Sequence, residues 1–262
     1  MLAEHAILKP ARTIRLRFMP HRHTTLLVAI VALLALRPLL GDAREAGPAL
    51  FSIAILVVML VALYNINIDD LIGERGQLLA QGRRRRIIGW VLGAAATVER
   101  LAAIFAPSHS LYVAGSISWF LFFSFVTWSE LRGVLKQREV TGEVISMSIS
   151  VYLLLGLTWG LLYIVIFQLH PGAFSFGGTA LVTPAQLSNP QPIFPILEYF
   201  SLTTLSTIGF GDITPVTLQA RYAAVAEGIT GQFYLAILVA RLVGMQMSQA
   251  VTQHSEVENK TP

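Results

Sequence analysis

The run Thr207, Ile208, Gly209, Phe210, Gly211, Asp212 sets glycine at alternate positions beside an aspartate. Hydroxyl residues bracket it, with Ser201, Thr203, Thr204 and Ser206 before and Thr214 and Thr217 after, around Pro215 and Val216. The chemistry on offer lies in the backbone. Glycine tolerates a positive φ that other residues avoid, so a strand with glycine at alternate positions can switch handedness and turn successive carbonyl oxygens to one side. A row of carbonyl oxygens replaces the water shell of a cation. Such chemistry is solvation, not catalysis.

The elements that must hold this strand are membrane helices. Hydrophobic residues make up 54% of the chain and charged residues 13%, and the mean hydropathy is +0.63, outside the balance of a soluble domain. Crossing a hydrocarbon layer takes roughly 20 helical residues. Six apolar runs are expected to span: Thr24 to Leu40, Pro48 to Ile66, Arg86 to Ala106, Leu111 to Leu131, Val144 to Phe167 and Thr217 to Gln246. Between the last two lies a segment with His170, Pro171, Gly177, Gly178, Pro184, Asn189, Pro190, Pro192 and Pro195, which reads as an irregular loop. Within it the short apolar run Phe194 to Leu205 fits a half-membrane helix. Backbone that is not helical survives at membrane depth only when buried in protein or lining a watery cavity.

Basic residues set the orientation. The N-terminal arm carries Lys9, Arg12, Arg15, Arg17 and Arg22; the second loop has Arg75 and Arg83 to Arg86; the fourth has Arg132, Lys136 and Arg138. The loop at Pro107 to Ser110 and the long one after Phe167 carry none, and Arg44 sits with Asp42 and Glu45 in the first outer loop. Both termini are therefore expected on the cytoplasmic side. Gly41, Asp42 and Ala43 after the first apolar run also fit a cleavable signal peptide, but Arg37 and Pro38 break that run and favour an uncleaved helix.

The hexad Thr207 to Asp212, with its hydroxyl-rich flanks, closely resembles the selectivity-filter signature of the potassium-channel family, and the resemblance covers roughly Val144 to Gln246. It implies an all-α membrane protein of six transmembrane helices, with a re-entrant pore helix and filter between helices five and six. Residues 1–143 would form a four-helix membrane region, 144–246 the pore domain, and 247–262 a short cytoplasmic tail. By this resemblance the carbonyls of Thr207, Ile208, Gly209 and Phe210, with the Thr207 hydroxyl, hold dehydrated K+. Ile208 and Phe210 point away from the ion, and Gly211, Asp212, Thr203 and Tyr199 support the filter. One filter per chain implies a homotetramer, since a ring needs four strands.

Two positions depart from the family. Phe210 stands where most members have Tyr, leaving Tyr199 and Phe200 to hold it by packing, and Thr203 replaces a carboxylate that many members carry. In the last span, Gly231 falls where family members have a hinge glycine, with Gly228 one turn earlier; close packing is the competing reading for Gly231. Helical spacing from Gly231 would line a cavity with Gln232, Leu235 and Val239. Glu227, an acid inside a membrane helix, either titrates during gating or bonds pore-helix hydroxyls. Glu198 is expected in the first turn of the pore helix and Arg241 to snorkel to the interface. The GxxxG at Gly156 to Gly160 offers close helix packing.

The fourth span has no arginine before Arg132, which argues against a voltage sensor; Arg83 to Arg86 read as a topology anchor or anionic-lipid contact, and Glu99 and Arg100 seek partners in the bundle. His170 reads as a solvated loop histidine. No Walker loop, dinucleotide fingerprint or metal-ligand cluster appears, there is no cysteine, and membrane orientation accounts for the pI near 9.6 without nucleic-acid binding. The expectation is a non-enzymatic, passively conducting potassium-selective channel subunit, weakly voltage-dependent at most, without an organic cofactor. Its partners are three further copies and the lipid bilayer, and its place is a plasma membrane, bacterial inner membrane by the preference for Arg over Lys. A weakly selective cation channel, a potassium transporter and a non-conducting membrane subunit are the alternatives.

Overall fold

The computed structural model describes residues 22–40, 47–72, 78–105, 108–137, 139–180 and 193–258. Lys9, Arg12, Arg15, Arg17, the Gly41 to Glu45 stretch, Arg75, Pro107, Arg138 and the prolines from Pro184 to Pro192 lie outside these residues, as do the side chains of Arg22, Arg37, Pro38 and Arg100.

Seven helices carry the described chain: α1 (Arg22–Leu40), α2 (Gly47–Ile72), α3 (Leu78–Phe105), α4 (His109–Lys136), α5 (Gly142–Leu169), α6 (Phe194–Leu205) and α7 (Leu218–Glu258). Among the described residues, three helices are long and apolar enough to cross a membrane: α4, α5 and the Leu218–Gln249 part of α7; His23–Leu36 and Ile53–Ile66 are shorter apolar stretches. Side-chain caps set two of the starts. Ser108 accepts from the Leu111 amide and opens α4, and Thr141 accepts from the Val144 amide and opens α5, whose first turn adds Glu143. The tail expected after Gln246 continues α7 as helix to Glu258.

The central helix is α5, against which α1, α4, α6 and α7 all pack, while α2 joins α1 to α3 and α3 leans on α4. One apolar core runs through Leu26, Ile30, Phe122, Val126, Leu154, Leu157, Tyr163 and Leu197; a smaller one at the other end of α5 joins Val134, Met147 and Val151. Glu99 of α3 lies over Gly115 of α4, and Arg85 of α3 bonds the Ser129 hydroxyl.

The segment after α5 is not wholly irregular, and the fold is not purely helical. Phe174–Phe176 (β1), Thr179–Ala180 (β2) and Ile213–Pro215 (β3) form a three-stranded antiparallel sheet in the order β2, β1, β3. Gly177 and Gly178 sit between the paired residues Phe176 and Thr179 with φ of 54° and 85°. Two consecutive left-handed residues make the two-residue hairpin turn whose twist matches its strands. On the other edge Ser175 pairs with Thr214 and Phe176 with Ile213, so this small sheet fastens the chain that follows the glycine-rich run.

Candidate functional site: the strand after the half-length helix

The α6 helix has 12 residues, with Pro195 near its start, and at about 1.5 Å per residue it reaches roughly half the hydrocarbon depth. Its carbonyl end leads directly into the glycine-rich run. Three amides fold back on it: Thr207 N–H donates to Thr204 O (3.0 Å), and Ile208 and Gly209 N–H both donate to Thr203 O (2.9 and 3.2 Å). Donors of the first half of the run are thus turned toward the helix, away from the side left for its carbonyls.

Backbone handedness alternates. Thr207, Gly209 and Gly211 have φ of 59°, 55° and 79°, whereas Ile208 and Phe210 do not take positive φ. Thr207 is the only non-glycine residue of positive φ among the described residues. The left-handed region costs a β-branched residue most. Its hydroxyl donates to Ser206 O at 2.7 Å. Alternation of this kind is the condition for successive carbonyls to face one side.

The side chains face elsewhere. Phe210 stacks on Tyr199 with ring centroids 6.3 Å apart and planes 2° apart, and the Tyr199 phenol pairs with the Asp212 carboxylate. Phe200, expected to help hold Phe210, instead packs edge-on to Tyr163 and Phe174 at 5.0 and 5.5 Å. Tyr199 and Phe200 are consecutive in the helix, and a single helical step turns the two side chains about 100° apart. Thr203 is buried and its hydroxyl returns to Phe200 O at 3.0 Å. Asp212 O accepts from Gly177 N–H at 3.0 Å, and Val216 N–H donates to Ala173 O at 2.7 Å, so the hairpin clamps the far end of the run. Ile208 and Phe210 are 58% and 68% exposed in the single chain.

Behind α6, helices α5 and α7 come close at glycines. A Cβ on Gly160 would lie 3.2 Å from Glu198 Cα, and one on Gly156 would lie 2.5 Å from the Leu202 Cδ2, so both members of the GxxxG face α6. A Cβ on Gly231 would meet Leu205 O at 2.4 Å, whereas Gly228 has its nearest neighbour, Thr204 O, at 4.0 Å. Helix α7 runs unbroken through both. Gly231 is buried while Gln232, Leu235 and Val239 are exposed. The stripe expected from Gly231 is therefore split, the glycine facing α6 and the other three facing outward.

Of the polar residues singled out in the sequence, one is displaced and three gain defined partners. Glu198 lies in the second turn of α6, because the helix already starts at Phe194, and it is buried. Arg241 does not extend freely: its guanidinium donates to Leu135 O and Gln137 O, both at 2.6 Å, at the end of α4. Leu135 lies in the last turn of α4 and Gln137 is its C-cap, where carbonyls lack the amides of a following turn and the negative end of the dipole sits. His170 is exposed, as a loop histidine would be, and caps α5 through its N–H to Ile166 O. Glu227 is fully buried and accepts from Tyr163 Oη, with Ser201 Oγ on its other oxygen, each at 2.5 Å. Sequence reasoning anticipated the pore-helix hydroxyl but not Tyr163, which lies 64 positions away.

Residues 190–247 match the family model described as Ion channel. The match supports an ion channel and a membrane protein, and it takes in α6, the glycine-rich run and most of α7. Protein LctB of Bacillus caldotenax is 32% identical over 88 residues, which are 32% of this chain and 65% of that protein. No solved structure matches the chain.

Proposed function

We propose that the chain is a subunit of a potassium-selective channel that conducts K+ passively, four copies forming one pore. The observation that carries this reading is the alternation of backbone handedness at Thr207, Gly209 and Gly211 directly after a half-length helix. Carbonyls of Thr207, Ile208, Gly209 and Phe210 then replace the ion's water, the Thr207 hydroxyl adds a further oxygen, and the carbonyl end of α6 favours a cation beneath them. Gly211, Asp212, Thr203 and Tyr199 hold the strand from behind.

Assembly into a tetramer is supported by what one protomer leaves uncovered: Ile208, Phe210 and, along one face of α7, Tyr222, Val225, Ile229 and Phe233. Six spans, with α6 re-entrant and both ends of the chain cytoplasmic in a bacterial inner membrane, put Thr207 to Asp212 at the outer half of the pore. Gly228 has room around it and is the better hinge; Gly231 serves close packing. A weakly selective cation channel is the second reading, favoured by Phe210, which has no hydroxyl with which to tie the strand to α6.

Reversal potentials of the purified protein in planar bilayers test both. Under a potassium gradient the potential should move to the potassium equilibrium value, and replacing potassium by sodium on one side should shift it strongly. Gly209→Ala, which forces a Cβ into a φ of 55°, should abolish that selectivity. Current indifferent to the sodium swap supports the weakly selective channel. Absence of current in every lipid, with the tetramer intact, favours a transporter or a non-conducting subunit.

A further inference from the structure

The hydrogen count around Glu227 has a consequence for how the glycine-rich run is held. Ser201 has one hydroxyl hydrogen and two short oxygen neighbours, Gly156 O at 2.7 Å and Glu227 Oε1 at 2.5 Å. Both neighbours are pure acceptors if Glu227 is a carboxylate, and one of the two contacts would then be a bare oxygen–oxygen approach. Tyr163 has one hydrogen as well, and it is spent on Glu227 Oε2 at 2.5 Å. Glu227, Ser201 and Tyr163 are all fully buried, and the oxygens are in direct contact at 2.5 Å, which leaves no space for a bridging molecule between them. A single proton on Oε1 satisfies every contact. The chain of donors then runs from Glu227 to Ser201 to Gly156 O, with Tyr163 donating to the other carboxyl oxygen.

We infer that Glu227 is a positioning residue that acts as a neutral carboxylic acid, donating to Ser201 and accepting from Tyr163, and so ties the inner helix α7 to α6 and α5. The three helices meet at this one side chain. Ser201 sits on α6 two turns before the Thr207 backbone, and Tyr163 on the buried face of α5. Among the described residues a negative charge here would have only the hydroxyls of Tyr163 and Ser201 bonded to it, whereas the neutral acid completes the network without one. The position of the half-length helix against the inner helix is thereby fixed by a proton, and a change at Glu227 is felt at the run that follows α6. The effect on current rests on the channel reading; the proton does not.

Infrared difference spectroscopy of the purified protein in lipid, wild type against Glu227→Gln, reads the proton directly. The wild type should show the carbonyl stretch of a protonated carboxylic acid that the Gln variant lacks. Ser201→Ala removes the acceptor and should shift that band, which keeps the assignment testable if Glu227→Gln does not fold. Glutamine can donate to Ser201 and accept from Tyr163, so Glu227→Gln should keep current within about twofold of wild type, while Glu227→Ala loses it, a contrast that follows from neutral hydrogen bonding at this site. Absence of a protonated-acid band in wild type, or a band unmoved in both variants, overturns the inference. A band present in a protein that never conducts leaves it standing and sinks the channel reading instead; selective current without the band does the reverse.

Discussion

Polar side chains of α5, α6 and α7 bond across helices along their length: Tyr163 and Ser201 to Glu227, Tyr234 to Ser148 O at 2.6 Å, Tyr152 to Leu205 O at 3.3 Å. In α4, Ser116 and Ser118 return their hydroxyls to their own helix four residues back, and in α3 Thr97 does the same to Gly93 O at 2.8 Å, with only a long contact of 3.8 Å to the Met59 Sδ of α2. Bonds that do leave the first four helices gather mainly where α1 begins and α4 ends. There His23 N–H and the Thr24 hydroxyl donate to Glu143, and the buried His23 ring lies 3.5 Å from Glu130. Apolar contact in lipid carries little preference for one registry over another, because tails are as apolar as leucine. On the channel reading proposed above, the carbonyls of the strand must be set to tenths of an ångström, and the helices that support it need directional bonds and backbone contact to pin them; cohesion of the other helices does not by itself need either.

The glycines draw the same distinction and give the largest expected effect. Gly231 and Gly160 face backbone atoms, Leu205 O at 2.4 Å and Glu198 Cα at 3.2 Å from an added Cβ. Backbone cannot rotate away as a side chain does. Gly231→Ala should therefore displace the end of α6, costing about 3 kcal/mol, the upper end of ordinary overpacking, and should abolish current. Thermal unfolding of the detergent-solubilised protein measures the first and bilayer recording the second; a variant as stable and as active as wild type would contradict the close approach.

Tyr163→Phe comes next. It leaves Glu227 Oε2 buried without its donor, and an unsatisfied buried acceptor costs about 1–3 kcal/mol. Thr127→Val should cost less. Thr127 of α4 meets Thr158 of α5 at 3.0 Å, but Thr158 also donates to Leu154 O at 2.7 Å and keeps that bond in the variant. Cross-helix bonds of this kind average about 0.6 kcal/mol in lipid. Equal losses in the two variants, measured by the same unfolding assay, would erase the difference between the regions.

Legibility in the sequence divides along the same line. The glycine-rich run could be read because its constraint is local: left-handed backbone at alternate positions leaves its mark as Gly209 and Gly211. The half-length helix α6 was marked by an apolar run too short to span, from Phe194 to Leu205. The hairpin was missed although Gly177 and Gly178 between Phe-Ser-Phe and Thr-Ala signal it, because the prolines around it read as loop. Partners distant in the chain left no local trace. Nothing beside Glu227 names Tyr163, and nothing beside Arg241 names the end of α4. The split of Gly231 from Gln232, Leu235 and Val239 was hidden for a simpler reason: spacing gives the faces of a helix but not which face meets a neighbour.

The smallest effect belongs to Gly93 of α3. A Cβ there would lie 3.3 Å from Met59 Sδ and 3.4 Å from the Phe122 ring. The thioether is unbranched and can yield a few tenths of an ångström by rotation. Against that small strain stands the helix preference for alanine over glycine, up to about 1 kcal/mol in an interior position. Gly93→Ala should therefore leave stability within about 1 kcal/mol of wild type, on the stabilising side if Met59 gives way, and should leave current unchanged. Chemical unfolding of both variants places it beside Gly231→Ala, since both are the same substitution in a buried glycine of a helix. A loss at Gly93 as large as that at Gly231 would mean that the first four helices are set as tightly as the three around α6, and that the difference between backbone and side-chain neighbours decides nothing.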